Sequence, residues 1–158
     1  MIDYHKQAVL FQQLYVLKKL TDDWGEKNIC PLQEPHFNMA FMPFFMAVGL
    51  AGKSSSAIAA TLKVSRQAAG KIMKELEQSG LIKVEKSTTD ARANLLQLTE
   101  QGRAFYLQVA EQASLLTSKY EKLIGKKQLE MMTETMEKMI HFHEKLHQCH
   151  RMGVHIDK

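Results

Sequence analysis

The chain has 158 residues, of which 45% are hydrophobic and 24% charged, so its length and composition suit one globular domain with a real core. The net charge of the chain is +4, and residues 53–92 alone account for it, because they contain eight basic and four acidic residues. This concentration of basic charge predicts a polyanionic partner. The chain has only two cysteines and no signal-peptide pattern, which argues against a secreted protein. Its longest apolar stretch (37–51) is shorter than the roughly 20 residues of a membrane helix. These features favour a cytoplasmic protein without a membrane partner.

Helical periodicity dominates the first part of the chain. Residues 4–24 predict an amphipathic helix, because apolar side chains recur at helical spacing at Leu10, Phe11, Leu14, Leu17 and Leu20. The segment Gly25 to Pro35 is polar and holds two prolines, which predicts a break. Residues 37–50 predict a second helix, which Pro43 either bends or delays.

Shorter elements follow. A serine at 54–56 is expected to cap a third helix, and Ser65 a fourth that runs to residue 79 and stops at Gly80. Residues 81–87 and 93–98 predict a β-hairpin around a turn at 88–91. A tight helix pair followed at once by a hairpin is the winged-helix arrangement.

Two long helices are expected to complete the chain, one capped by Thr99 and reaching about residue 123, the other running from 126 to 149 after Gly125. The last helix needs a partner for its apolar stripe, and the first helix offers one, which predicts a homodimer. The stripe consists of Leu129, Met132, Met136, Met139, Ile140 and Leu146.

The predicted fold class is therefore mainly α with a small β-wing, a winged helix-turn-helix domain flanked by N- and C-terminal dimerisation helices. One chain, 1–158, would hold a DNA-binding lobe at 34–99 and a dimerisation lobe at 1–30 and 100–150.

The fourth helix has two unlike faces. One gathers the apolar side chains of Ala69, Ile72, Met73 and Leu76, which can pack on the third helix. The opposite face is polar and carries Gln67, Lys71 and Lys74, with small Gly70 beside them and Arg66 at the flank. Such a face suits the major groove of DNA: Gln67 can pair with adenine, Arg66 or Lys71 can reach guanine or phosphate, and Ser65 can hold a phosphate at the helix start.

The predicted hairpin carries positive charge at its tip. Lys86 and Arg92 lie on either side of the turn, where they can follow the DNA backbone or enter a narrow minor groove. Asp90 can fix the turn and orient the Arg92 guanidinium. This second basic element favours DNA binding over an ordinary solvated helix.

Four segments in order resemble the MarR family of bacterial transcription regulators. They are Leu62-Lys63-Val64-Ser65-Arg66-Gln67, then residues 76–82, then Asp90-Ala91-Arg92, then Leu98-Thr99-Glu100-Gln101-Gly102. The resemblance implies a recognition helix that begins at Ser65, a wing around Arg92, a dimer of interlocked terminal helices and a pseudo-palindromic operator. It also implies a repressor that a small ligand releases. Many members carry arginine where this chain has Val84, and Lys86 is the residue that can compensate.

An effector site is the next expectation. The second helix is rich in phenylalanine and methionine, which can line an adaptable pocket for a small aromatic or lipophilic molecule, although such residues are more often simply core. The candidate lining residues are Tyr15, Trp24, Phe41, Phe44 and Phe45.

Two alternatives are a metal-responsive or a redox-responsive regulator of the same fold. His143, His147 and His150 recur at helical spacing and could approach one metal ion, while packed interface histidines are the plainer interpretation. Cys30 could sense oxidants, although no activating cation is evident beside it and an inert thiol is favoured.

A distant alternative is nucleotide binding, because Ala47–Ser54 loosely matches a phosphate loop with alanine in place of the first glycine. A true phosphate loop follows a buried strand, whereas the residues before this one predict a helix. No catalytic motif is evident, so neither an enzyme nor a cofactor is expected. A winged helix that binds only proteins would need an acidic or apolar fourth helix, which the basic face opposes.

Overall fold

The computed structural model describes residues 4–33, 37–86 and 94–151, and the chain divides into two compact units between Gln112 and Ala113. The six helices of the described part are α1 (Tyr4–Asn28), α2 (Met42–Val48), α3 (Ser55–Thr61), α4 (Arg66–Gln78), α5 (Glu100–Ile124) and α6 (Lys126–Arg151). Short 3₁₀ turns lie at Cys30–Leu32 and Met39–Phe41. Three strands, β1 (Lys53–Ser54), β2 (Ile82–Lys86) and β3 (Asn94–Leu98), form an antiparallel sheet in the order β1-β3-β2.

The predicted break at Gly25 is wrong, because α1 continues to Asn28. Gly25 is buried inside the helix, and a Cβ there would lie 2.5 Å from Cε of Met39. The missing side chain therefore admits Met39 rather than ending the helix. The Asn28 amide donates to the Trp24 carbonyl oxygen at 2.7 Å and caps the last turn.

Pro43 delays the second helix, one of the two outcomes expected of it. The helix α2 begins at Met42 and places Pro43 in its first turn, where a missing N–H costs no hydrogen bond. The residues before it form the 3₁₀ turn at Met39–Phe41, which the Asn38 side chain caps by accepting from Ala40 N at 2.9 Å.

The predicted serine caps are confirmed. Ser54 Oγ accepts from Ala57 N at 3.2 Å at the start of α3, and Ser65 Oγ accepts from Ala68 N at 3.1 Å at the start of α4. The stop at Gly80 is confirmed as well: this residue has φ +74°, and Leu81 N donates back to the Leu76 carbonyl at 3.1 Å.

The turn between α3 and α4 also contains a residue with positive φ, and here that residue is a lysine. Lys63 has φ 58°, and Val64 N donates to the Ala59 carbonyl at 3.1 Å. Lys63 thus adopts the left-handed conformation that glycine usually supplies. The form of this turn could not be predicted, because glycine, the residue that usually signals a left-handed turn, is absent from it.

Both strands of the hairpin are confirmed, in a register that pairs Ile82 with Leu98 and Lys86 with Asn94. The short strand β1 was missed, because two residues are too few for an alternating pattern. It pairs Lys53 with Leu96, and Gly52 allows this approach since a Cβ there would lie 2.8 Å from the Leu96 carbonyl oxygen.

A compact joint links α4, β2 and α5. Thr99 Oγ1 donates to the Gly80 carbonyl at 2.6 Å and accepts from Gly102 N at 3.0 Å, while Thr99 N donates to the Leu81 carbonyl at 3.1 Å. A Cβ on Gly102 would lie 1.8 Å from the Leu81 carbonyl oxygen. The Thr99 cap is therefore confirmed, and it also fixes the base of the hairpin at the end of α4.

The core of the first unit contains a cluster of aromatic rings. Phe45 packs at centroid distances of 5.8 Å from Phe37, 5.2 Å from Phe105 and 6.1 Å from Tyr106. Around it lie aliphatic side chains that join the helices to the sheet, among them Val48, Ile58, Leu76, Leu81, Ile82 and Leu96.

The second unit holds the rest of α5, the positive-φ residue Gly125 and α6. None of its described side chains is buried. None of the described helices in either unit has the apolar length that a bilayer span requires.

Candidate nucleic-acid interface

The amphipathic character predicted for α4 is present. Ala69, Met73 and Leu76 are buried, and α3 supplies the buried Ile58 and Ala59 to the same core. This packing fixes which side of α4 faces away from the protein. The side chains on that side, Arg66, Gln67, Lys71 and Lys74, are all exposed, as is Gly70.

The cations of this face have no partner among the residues that the structure describes. Within the described part of the chain, Arg66, Lys71 and Lys74 form no ion pair. Their charges are therefore available to an external anion. We call this surface (Arg66, Gln67, Gly70, Lys71 and Lys74) the α4 face.

Ser65 lies at the start of the same helix. Because its hydroxyl oxygen accepts from Ala68 N, its own proton remains available to a second acceptor. The residue can cap the helix and still donate to a phosphate oxygen.

The wing is only partly within the described residues. Lys86 ends β2 and pairs with Asn94, but its side chain, and all of Asp90 and Arg92, lie outside the described residues. On the described part of β2, Lys83 Nζ lies 2.5 Å from Glu85 Oε1, so this lysine is partly neutralised. Val84 is 37% exposed and brings no charge to the strand.

The candidate effector residues occupy three different environments. Phe44 and Phe45 are buried in the core, Trp24 and Phe41 are partly buried against it, and Tyr15 is 72% exposed. Phe44 and Phe45 therefore already fill space within the fold. A ligand could reach them only if the core opened.

The candidate metal residues are placed only in part. His143 lies on α6, 5.4 Å from the Phe142 ring, whereas the side chains of His147 and His150 lie outside the described residues. Among described residues, no three histidine, cysteine or acidic side chains are grouped as a metal site would need.

Cys30 is fully buried, and burial is the main cause that raises the pKa of its thiol to about 11, with the charge of Glu26 and a hydrogen bond to it adding to the effect. A thiol with this pKa is almost entirely protonated at neutral pH, which opposes oxidant sensing.

The phosphate-loop alternative loses its structural basis. Residues 42–48 are the helix α2, so no strand precedes the loop, and Lys53 pairs with Leu96 in the sheet. Ser54 caps α3 instead of facing a nucleotide.

Part of the chain matches a known protein family. A family model described as MarR family matches residues 43–93, which contain three of the four resembling segments. No curated protein sequence matches the chain significantly.

Solved structures share the fold at low sequence identity. FabT of Streptococcus pneumoniae in complex with DNA has a TM-score of 0.75 at 19% identity, with 91% of this chain and 99% of that chain covered. The transcriptional repressor CouR bound to a 23-mer DNA duplex has a TM-score of 0.72 at 19% identity, covering 89% of this chain and 98% of that one. A mutant MarR from E. coli complexed with operator DNA has a TM-score of 0.72 at 16% identity, covering 88% and 99%. These matches confirm the predicted winged-helix fold class.

Proposed function

We propose that the protein regulates transcription by binding double-stranded DNA as a homodimer, a proposal supported by the match of a MarR family model to residues 43–93. The observation that carries the proposal is the α4 face, whose exposed cations have no partner in the described part of the chain. Three lines of support agree: the residue types suit base edges and phosphates, the basic charge is concentrated in this region, and similar folds are solved with DNA.

Each polar side chain of the α4 face has a chemical task in this proposal. The Gln67 amide can donate to and accept from adenine, and Arg66 and Lys71 can donate to guanine or to phosphate. Lys74, one turn further along, suits a phosphate. On the wing, Lys86 and Arg92 would contact the backbone or the minor groove, with Asp90 orienting Arg92.

A homodimer would present two α4 faces to one side of the duplex. Two-fold symmetry then requires a pseudo-palindromic operator whose half-sites lie about 34 Å apart when they are one helical turn apart. The lobes proposed for this assembly are residues 34–99 for DNA and residues 1–30 with 100–150 for the partner chain.

Repression released by a small aromatic or lipophilic effector completes the proposal. It is supported by the MarR resemblance and by Trp24 and Phe41, which lie at the edge of the aromatic core, with exposed Tyr15 as a third candidate contact. Phe44 and Phe45 would contact the effector only after a rearrangement. Titration of the protein–DNA complex with aromatic acids tests this part separately.

Selection of bound sites from random duplex DNA tests the main proposal. The full-length parent protein should enrich a pseudo-palindrome. Lys71→Ala should lower the affinity for the enriched duplex about tenfold and relax one position if Lys71 contacts a base. Arg92→Ala should lower affinity more evenly across sequences and reduce the salt dependence by about one unit of slope.

The matched control is Lys122→Ala, which removes the same charge from an exposed site near the end of α5. It should bind the enriched duplex like the parent. Failure of the parent to enrich any duplex would overturn the proposed function, and parental binding by both test variants would overturn the assigned face.

A further inference from the structure

Gly70 is an anomaly within α4. It lies in the middle of a helix of 13 residues, it is exposed, and no heavy atom lies within 4 Å of where its Cβ would be. Glycine in a helix interior is less favourable than alanine because the unfolded chain loses more conformational freedom. The helix therefore carries a destabilising residue that its own packing does not require.

The other described glycines have structural reasons. Gly25, Gly52 and Gly102 admit neighbouring atoms that a Cβ would strike, and Gly49, Gly80 and Gly125 have positive φ. Among the described glycines, Gly70 alone has neither a close neighbour nor a positive φ.

The position of Gly70 points to its use. It is three residues after Gln67 and four before Lys74, so it lies next to both on the exposed side of α4. It lies in the N-terminal half of the helix, the half that reaches base edges in helix-turn-helix proteins. The bare backbone there allows an external surface to approach about one methyl group closer than any other residue would permit.

We propose that Gly70 is a specificity-determining position, at which the α4 backbone lies directly against the edge of a base pair in the major groove. This inference rests on the proposed DNA-binding function. It adds a contact between the α4 backbone and a base, which is possible because Gly70 has no side chain. The close approach would also set the depth at which Gln67 and Lys71 reach their bases.

Gly70→Ala separates stability from recognition. With open space around the new methyl group, the variant should unfold at a higher temperature, by about 2–4 °C. Its affinity for the duplex enriched by the parent protein should fall about tenfold or more, because the methyl group would overlap the base edge. Its affinity for a fixed random-sequence duplex of the same length should fall less, because loosely docked complexes depend on phosphate contacts.

The control Thr117→Ala replaces an exposed β-branched residue in α5 by a better helix former and leaves α4 unchanged. It should retain the parental preference for the enriched duplex over the random one. Selection repeated with Gly70→Ala should recover sites with altered bases at one position of each half-site.

Outcomes of three kinds would overturn the inference. Parental affinity and site preference of Gly70→Ala would show that no base lies against this position. An equal loss on both duplexes would place the contact on the DNA backbone, and a lower unfolding temperature would show that the glycine serves the fold. None of these results touches the proposed function, which fails only if the parent enriches no duplex.

Discussion

At the scale of single residues, burial determines chemistry. Cys30 has a thiol, a neighbouring Glu26 and a position in a 3₁₀ turn, but its side chain is entirely removed from solvent. Desolvation and the nearby acid both disfavour the thiolate and raise the pKa to about 11. The sequence showed the cysteine but not this environment, because burial depends on α1 and the turns packing together.

Cys30 should therefore react slowly with alkylating agents. Since the thiolate is the reactive form, a pKa about two units above that of a free thiol predicts alkylation by iodoacetamide about a hundredfold slower at pH 8. The rate should rise with pH up to about pH 11, where half of the thiol is ionised, and level off only above it.

The measurement uses Cys149→Ser, so that only Cys30 can react, with mass spectrometry as readout. The same variant unfolded in guanidinium chloride is the control and should react like a free thiol. Rapid labelling of the folded variant at pH 7 would contradict the raised pKa and revive the redox alternative.

At the scale of elements, the sequence predicts best what local chemistry decides. Ser65 and Thr99 were identified as caps, and the cap of α3 was narrowed to a serine at 54–56, because a cap bond needs only the helix it starts. Gly25 was misread, since its role depends on Met39 arriving from another segment. The strand β1 was missed for a similar reason, because its pairing partner β3 is more than 40 residues away.

The candidate site was also predicted only where local periodicity determines it. The outward direction of the α4 face followed from helical periodicity, whereas the freedom of its cations from ion pairs depends on side-chain positions that no spacing encodes. The buried state of Phe45 depends on α5, which brings Phe105 and Tyr106 to the core.

The joint at Gly102 gives an element-scale prediction. Gly102→Ala should destabilise the protein by about 3 kcal/mol, because the new methyl group must displace the Leu81 carbonyl, which is backbone and cannot swing aside. Urea denaturation followed by circular dichroism measures the free energy of unfolding.

The same substitution at Gly70 is the matched control, since it adds a methyl group to a helix at an open site and should stabilise instead. Equal stability of Gly102→Ala and the parent would mean that this joint does not hold the base of the hairpin against α5.

At the scale of the whole molecule, the single chain leaves much apolar surface in water. On α1, Phe11 is 74% exposed and Leu20 61%, and Leu10, Leu14 and Leu17 are also exposed. On α6, the stripe residues Ile140, Met132 and Met139 are 58%, 38% and 37% exposed. The apolar stripes that the sequence predicted are thus present but unburied, and such surface marks an association site.

Phe11→Glu should weaken the proposed homodimer, because a carboxylate would be desolvated in an apolar interface. Sedimentation equilibrium at micromolar concentration should show the parent as a dimer and the variant shifted strongly towards monomer.

Leu50→Glu is the control, since Leu50 is also an exposed apolar residue and lies outside α1 and α6. It should remain dimeric. A monomeric parent, or a Phe11→Glu variant as dimeric as the parent, would contradict the assigned interface.

The joint at Thr99 also limits how this region can change in length during evolution. With Gly80 and Thr99 bonded at one end and Lys86 paired with Asn94 at the other, the two strands have a fixed count of residues between anchors. One inserted residue within β3 would turn Leu96 from the core to solvent, because neighbouring strand residues face opposite ways. Insertions and deletions within either strand would break this alignment, so homologous chains are expected to keep the lengths of β2 and β3 between these anchors.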